Sequence, residues 1–216
     1  MRLLPLVLVL AVVAASAPPA AAAPRCHRTP PQSPPRVTVV QTEQVRVYRR
    51  GPEGEREFFA CARRTGRTIK LGEENLDTGF AGFRAAGRYV AYREEYTMRC
   101  CGDAHVTVRL LDAVRPRIAH SWSYALYGHP GSGDAVLRMR GQKLLASGAY
   151  AFMIGAYEAS DDTDAFGAPV YDVVVASPKR AEVVDTGPDI EPRSFSATRT
   201  TVRWRRGGRA RSAPMP

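Results

Sequence analysis

The stretch "MRCCGDAH", Met98 to His105, gathers two adjacent cysteines, an aspartate and a histidine within eight residues. Such a cluster could hold a metal, exchange disulfides or close a loop covalently. A zinc site wants four Cys or His ligands in paired short spacings. Cys100, Cys101 and His105 supply three, and adjacent cysteines do not easily face one ion. Redox work favours a C-x-x-C spacing over a doublet. The chain has 4 cysteines in all, the others being Cys26 and Cys61. An even set in an exported chain reads as disulfides. A bond between neighbours closes a strained small ring, so Cys61 is expected to bond one member of the doublet and Cys26 the other. This is a structural staple, and no metal or cofactor is expected.

Other chemistry-bearing stretches are weaker. In "SDDTDAFGAP", Asp161, Asp162 and Asp164 precede Gly167. Counted from Asp162 as a calcium-binding loop, Phe166 and Val173 fall where oxygen ligands are required. "HPGSGDA" places Ser132 near His129 and Asp134, but triads assemble from separated segments and local crowding says little. Glu94 and Glu95 resemble a carboxylate pair, yet adjacent strand residues point to opposite faces. No nucleophile elbow, H-E-x-x-H or phosphate-cradling glycine loop occurs. No catalytic residue is assigned. Two recognition candidates remain. Trp122, Tyr124 and Tyr127 crowd "HSWSYALYGHP", read as an insertion able to stack on a ligand. Arg203, Arg205, Arg206, Arg209 and Arg211 crowd "RWRRGGRARSAP", a candidate anion-binding hairpin.

The ends and the composition say where such sites would operate. "MRLLPLVLVLAVVAASAPPAAAAPRC" has one early cation, an apolar run and then small residues, the plan of a secretory signal peptide. We read residues 1–22 as that signal, 23–36 as a proline-rich tether and 37–216 as the folded domain. The apolar run is too short to span a bilayer, and no later stretch approaches the required length. The net charge is +10, which points to anionic partners. Only three of the 31 basic residues are lysine (Lys70, Lys143 and Lys179), a bias of the kind high-GC coding produces.

From Val37 onward the pattern is one strand after another. "VTVV", "VRVY", "EFFACA", "TIKL", "RYVAY", "VTVRLL", "YAFMI", "YDVVVA", "AEVV" and "TVRW" are β-branched and aromatic runs separated by turn residues. No long segment keeps a helical apolar period. The runs also repeat. "AAGRYVAYREEY" matches "LASGAYAFMIGAY", with Gly87 and Gly148 each two residues before Tyr89 and Tyr150. Taking Tyr48, Tyr92, Met153 and Trp204 as equivalent gives repeats of propeller-blade length.

"FFACARRTGRTIKLG", "AAGRYVAY" and "TTVRWRRGG" resemble blade segments of secreted bacterial β-propeller proteins, the TolB-like and WD40-like repeat families. They also resemble exported proteins of high-GC bacteria built from the same phrases. The resemblance spans most of residues 40–214. It implies an all-β, propeller-like array of about four degenerate blades, with an irregular β-sandwich as the alternative. It implies interaction rather than catalysis. The expected function is a non-catalytic extracellular or cell-envelope module binding a protein or glycan. A secreted hydrolase with groups from separate loops is one alternative. An electrostatic binder of anionic envelope polymer or nucleic acid is the other.

Overall fold

In the computed structural model, Cys26 and residues 34–98, 103–126, 136–157 and 169–216 are described. They form fifteen β-strands and no α-helix. Each sheet is an antiparallel meander whose strands pair in chain order. Sheet I holds β1 (Val37–Gln41), β2 (Val45–Arg50), β3 (Glu57–Ala62) and β4 (Thr68–Glu73). Sheet II holds β5 (Thr78–Ala86), β6 (Tyr89–Met98), β7 (Asp103–Asp112) and β8 (Arg117–Leu126). Sheet III holds β9 (Val136–Leu144), β10 (Tyr150–Tyr157), β11 (Val170–Ala176) and β12 (Ala181–Gly187). Sheet IV has three strands, β13 (Ile190–Ala197), β14 (Thr201–Arg206) and β15 (Arg209–Pro214).

The sheets pack face to face in chain order. Val45, Val47, Phe58, Val90, Tyr92 and Leu111 fill the space between sheets I and II. Val106, Val108, Leu110, Tyr150, Phe152 and Val174 do so between sheets II and III. Met153, Val173, Val175, Val202 and Trp204 do so between sheets III and IV. None of these clusters joins sheet IV to sheet I among the described residues. The first strands run together along one side, with β1 against β5, β5 against β9 and β9 against β13. Each first strand carries a bulge against its partner: at Thr38/Val40, at Ala81/Arg84, at Met153/Ile154 and at Glu191/Ser196. An extra residue bends a strand and raises its local twist. Gly141 on β9 shows how closely neighbours approach, since a Cβ there would lie 2.4 Å from the Phe195 ring of β13.

Every one of the ten expected runs is a strand. The repeat equivalence needs one correction. Tyr48, Tyr92, Met153 and Trp204 each stand fourth in the second strand of their sheets. Tyr92 and Trp204 face the preceding sheet, whereas Met153 faces the following one. In β10 it is Phe152 and Ile154 that turn back toward sheet II. Aligning Gly148 with Gly87 slips the third repeat by one residue, and such a slip exchanges the faces of a strand.

The disulfide expectation is also corrected. Cys26 is bonded to Cys61, and both are buried on the outer face of sheet I beside Tyr48. Cys61 lies in β3, pointing away from sheet II, so the pairing is decided by Cys26 lying on that outer face. Cys100 and Cys101 lie outside the described residues. Arg46 fastens Cys26, Arg36 and Thr38 to β2. Arg46 is 8% exposed and donates from Nη1 to the Cys26 carbonyl (2.7 Å), from Nη2 to the Arg36 carbonyl (3.3 Å) and from Nε to Thr38 Oγ1 (2.9 Å). Burial, and after it the Arg36 charge, pull its pKa below the usual guanidinium value. The Arg36 and Arg46 guanidiniums both lie over the Tyr48 ring, at 5.0 and 5.5 Å.

A non-reducing peptide map should recover Cys26 joined to Cys61. Cys61→Ala should cost about 2–4 kcal/mol, because the bond closes a loop of 35 residues in the unfolded chain; a neutral substitution would remove the staple from the fold. Burial raises the Tyr92 phenol to about 12. Its folded pKa lies above the unfolded value of about 10, so its contribution is complete below pH ~10 and is lost on going toward pH 12. Thermal melts should show stability falling across that window, and Tyr92→Phe should flatten the fall.

Candidate functional site

Sheet IV is built by a tight hairpin. Gly207 (φ 53°) and Gly208 (φ 75°) occupy the left-handed region that a two-residue turn between right-twisted strands demands. β14 alternates cleanly: Val202 and Trp204 enter the core with sheet III, while Arg203 and Arg205 face outward. In β13, Pro192 lacks an N–H, and the ladder breaks there. Ser194 Oγ fills the gap, accepting from the Arg205 N–H (2.7 Å) and donating to the Glu191 carbonyl (2.6 Å).

The five predicted arginines divide into two kinds. Arg206 is structural: Nη1 donates to Asp185 Oδ1 at 2.6 Å and Nε to Asp189 Oδ1 at 2.9 Å. The Asp189 and Asp185 hydrogen bonds, in that order, raise its pKa. Asp185 Oδ2 also accepts the Trp204 indole N–H at 2.7 Å, so one carboxylate locks sheet IV onto sheet III. Arg205 donates to the Gly208 carbonyl and stands 3.9 Å from Glu191. Arg203, Arg209 and Arg211 are exposed and have no acidic partner among the described residues. Residues 190–216 carry seven arginines against a single acid, Glu191. The result is an open, arginine-rich surface lined by Arg193, Arg203, Arg205 and Arg211 with Glu191 among them. Arg193 was missed from sequence because Pro192 and the bulge hide β13 from a period-two reading.

The aromatic candidates lie elsewhere. "HSWSYAL" is not a loop insertion but the greater part of β8. Trp122 and Tyr124 are half-buried and pack on the core between sheets II and III. The Trp122 ring meets Phe152 edge to face at 5.7 Å and His120 at 4.3 Å. Burial pushes the Tyr124 phenol well up. Tyr127 lies outside the described residues. Trp122 and Tyr124 thus have a packing role, at some distance in the fold from the arginines.

"MRCCGDAH" joins two strands that pair as far as Met98 opposite Asp103. Residues 99–102 lie outside the described set, as do Ser132 with its neighbours and residues 160–168. His105 belongs to β7, its ring 6.3 Å from Tyr96. Glu94 and Glu95 part to opposite faces, Glu94 taking Arg109 and Glu95 taking Arg93. Sequence reasoning missed one acidic groove, lined by Glu53, Glu74, Asp77 and Glu95 beside the exposed Leu76. Glu74 lies 3.5 Å from Arg56 there. No group of three or more His, Cys, Asp or Glu side chains placed to hold a metal ion occurs among the described residues. No helix among them is long and apolar enough to cross a membrane.

Comparison with protein-family models, with curated proteins and with solved structures finds no match. The fold and the charge pattern therefore carry the functional reading.

Trp122→Ala should lower stability by about 2 kcal/mol, roughly 4–8 °C in Tm, and should leave retention on an anionic matrix unchanged. An unaltered melt would place the ring outside the core.

Proposed function

We propose that this chain is an exported, non-catalytic binding module of the extracellular space or cell envelope. It is a propeller-like array of four blade-like sheets that engages an anionic partner through sheet IV. Support for the array comes from the four consecutive meanders, with first strands adjacent along one side. A disulfide at Cys26–Cys61 is compatible with an oxidising compartment.

The observation that carries the binding role is the unpaired arginine of sheet IV: Arg203 on its outer face, and Arg209 and Arg211 along the β15 edge on the other side. The structure neutralises Arg206 with two aspartates and leaves these three exposed, with no acidic partner among the described residues. An arginine fork left facing water keeps its donors and charge for an oxyanion. Clustered like charge also raises the local concentration of an oppositely charged partner.

Inorganic polyphosphate on beads serves as a generic anionic probe. The wild-type chain should be retained, and retention should fall steeply as salt rises through about 0.15 M. Changing Arg203, Arg209 and Arg211 together to Glu should weaken retention by more than about tenfold, with the melt unchanged. Equal retention of the triple variant would overturn the assignment of sheet IV.

A further inference from the structure

Sheets I to III have four strands each and sheet IV has three. Among the described residues, the position beyond β15, which β4, β8 and β12 occupy in their own sheets, is open. We infer that sheet IV receives its fourth strand from outside: an extended acidic polypeptide segment of a partner protein that pairs with the free edge of β15. This rests on the reading of sheet IV as the binding surface and names the class of partner.

The edge is prepared in hydrogen-bonding terms. The two-residue turn makes Arg206 and Arg209 a hydrogen-bonded pair, and such pairs alternate along a hairpin. Trp204 opposite Arg211 and Val202 opposite Ala213 are then also hydrogen-bonded pairs. The Met215 N–H donating to the Thr200 carbonyl at 2.9 Å continues that alternation. The N–H and C=O groups of Ala210 and Ser212 therefore point outward, along the edge. Neither residue has a hydrogen bond to another group among the described residues that would occupy them.

The floor beneath the vacancy is prepared as well. Val175, Glu182 and Val184 of sheet III and Arg180 of the turn before β12, with Pro214 and Pro216, line a groove alongside the end of β15. Val184 is the bulged residue of β12 and packs at the margin of the core between sheets III and IV. A strand laid along β15 would cover this apolar margin, as outer strands do elsewhere in the molecule.

Charge selects the occupant. Arg209 pairs across from Arg206 and Arg211 from Trp204, so both lie on the side facing sheet III. Residues of an incoming strand directly opposite them would share that side. Carboxylates at those two alternate positions would complete two ion pairs, and an apolar residue two places on would meet Ala213 and Val184. A second copy pairing β15 with β15 would set arginine beside arginine, which repels. A polyphosphate or nucleic acid can meet the charges but offers no backbone to Ala210 and Ser212. Lysines and arginines on an edge deter like strands; they invite an acidic one, and strand addition to an exposed edge is an established mode of peptide capture.

The test uses the full chain, a synthetic peptide of alternating glutamate and valine, and inorganic polyphosphate. Peptide binding should slow amide exchange at Ala210 and Ser212 by about tenfold or more. Ser212→Pro removes one outward N–H at an edge position where proline is tolerated. It should weaken the peptide by about tenfold and leave polyphosphate retention unchanged. If the peptide binds equally to Ser212→Pro, or leaves exchange at Ala210 and Ser212 unaltered, strand addition is overturned while the basic surface stands. Polyphosphate retention without any peptide binding has the same meaning. If neither probe binds, the reading of sheet IV as a binding surface falls with it.

Discussion

Sheets II and III are apolar on both faces, and that single constraint organises the molecule. In β10, Tyr150, Phe152 and Ile154 need sheet II while Ala151 and Met153 need sheet IV. Neither face can be left to water, since apolar area removed from solvent is the dominant favourable term in folding. A stack whose middle layers demand two neighbours must end in layers that demand one. Sheets I and IV meet that demand by alternation. "VRVY" turns Val45 and Val47 inward and Arg46 and Tyr48 outward, and "TVRW" turns Val202 and Trp204 inward and Arg203 outward. Terminal units with a polar outer face are what a linear array requires to remain in solution.

The two ends solve the same problem differently. At sheet I the outer face keeps aromatic surface, Tyr48 and Phe59, and packs Cys26 against it. Arg46 ties Cys26 and Arg36 down by donating to their backbone carbonyls instead of a carboxylate. At sheet IV the outer face carries Arg203 and Arg205 among small residues, Ala210 and Ser212. Its inner face is locked by Asp185, which serves Trp204 and Arg206 together. One end is sealed by covalent and backbone bonds, and the other is left charged. The functional reading rests on that difference.

Much of this was legible in the sequence, and the losses have a common cause. The ten strands read from sequence are those with continuous or cleanly alternating apolar runs. The five strands outside those runs are β5, β8, β9, β13 and β15, of which β15 was read only as the return arm of the arginine hairpin. Three are bulged first strands, where an extra residue breaks the period of two and glycine or proline is present: Gly79 and Gly82 in β5, Gly141 in β9, Pro192 in β13. β15 is an exposed edge of arginine and small residues with almost no apolar signal. Trp122 and Tyr124 were visible as residues but not as a strand, because the pattern shows composition without showing what lies across the sheet. The arginine cluster was visible too. Its division into locked Arg206 and free Arg203, Arg209 and Arg211 depends on Asp185 and Asp189, which precede it in the chain and meet it only in the folded hairpin.

The staple at Cys26–Cys61 has a kinetic side. In a linear stack an end layer detaches by breaking one interface, whereas a middle layer must break two. The disulfide joins Cys26 to β3 on the outer face of sheet I and does not reach sheet II. It therefore limits separation of the strands of sheet I from one another, and leaves the interface with sheet II to its apolar contacts. When that interface opens, β1 to β3 move with Cys26 as one layer.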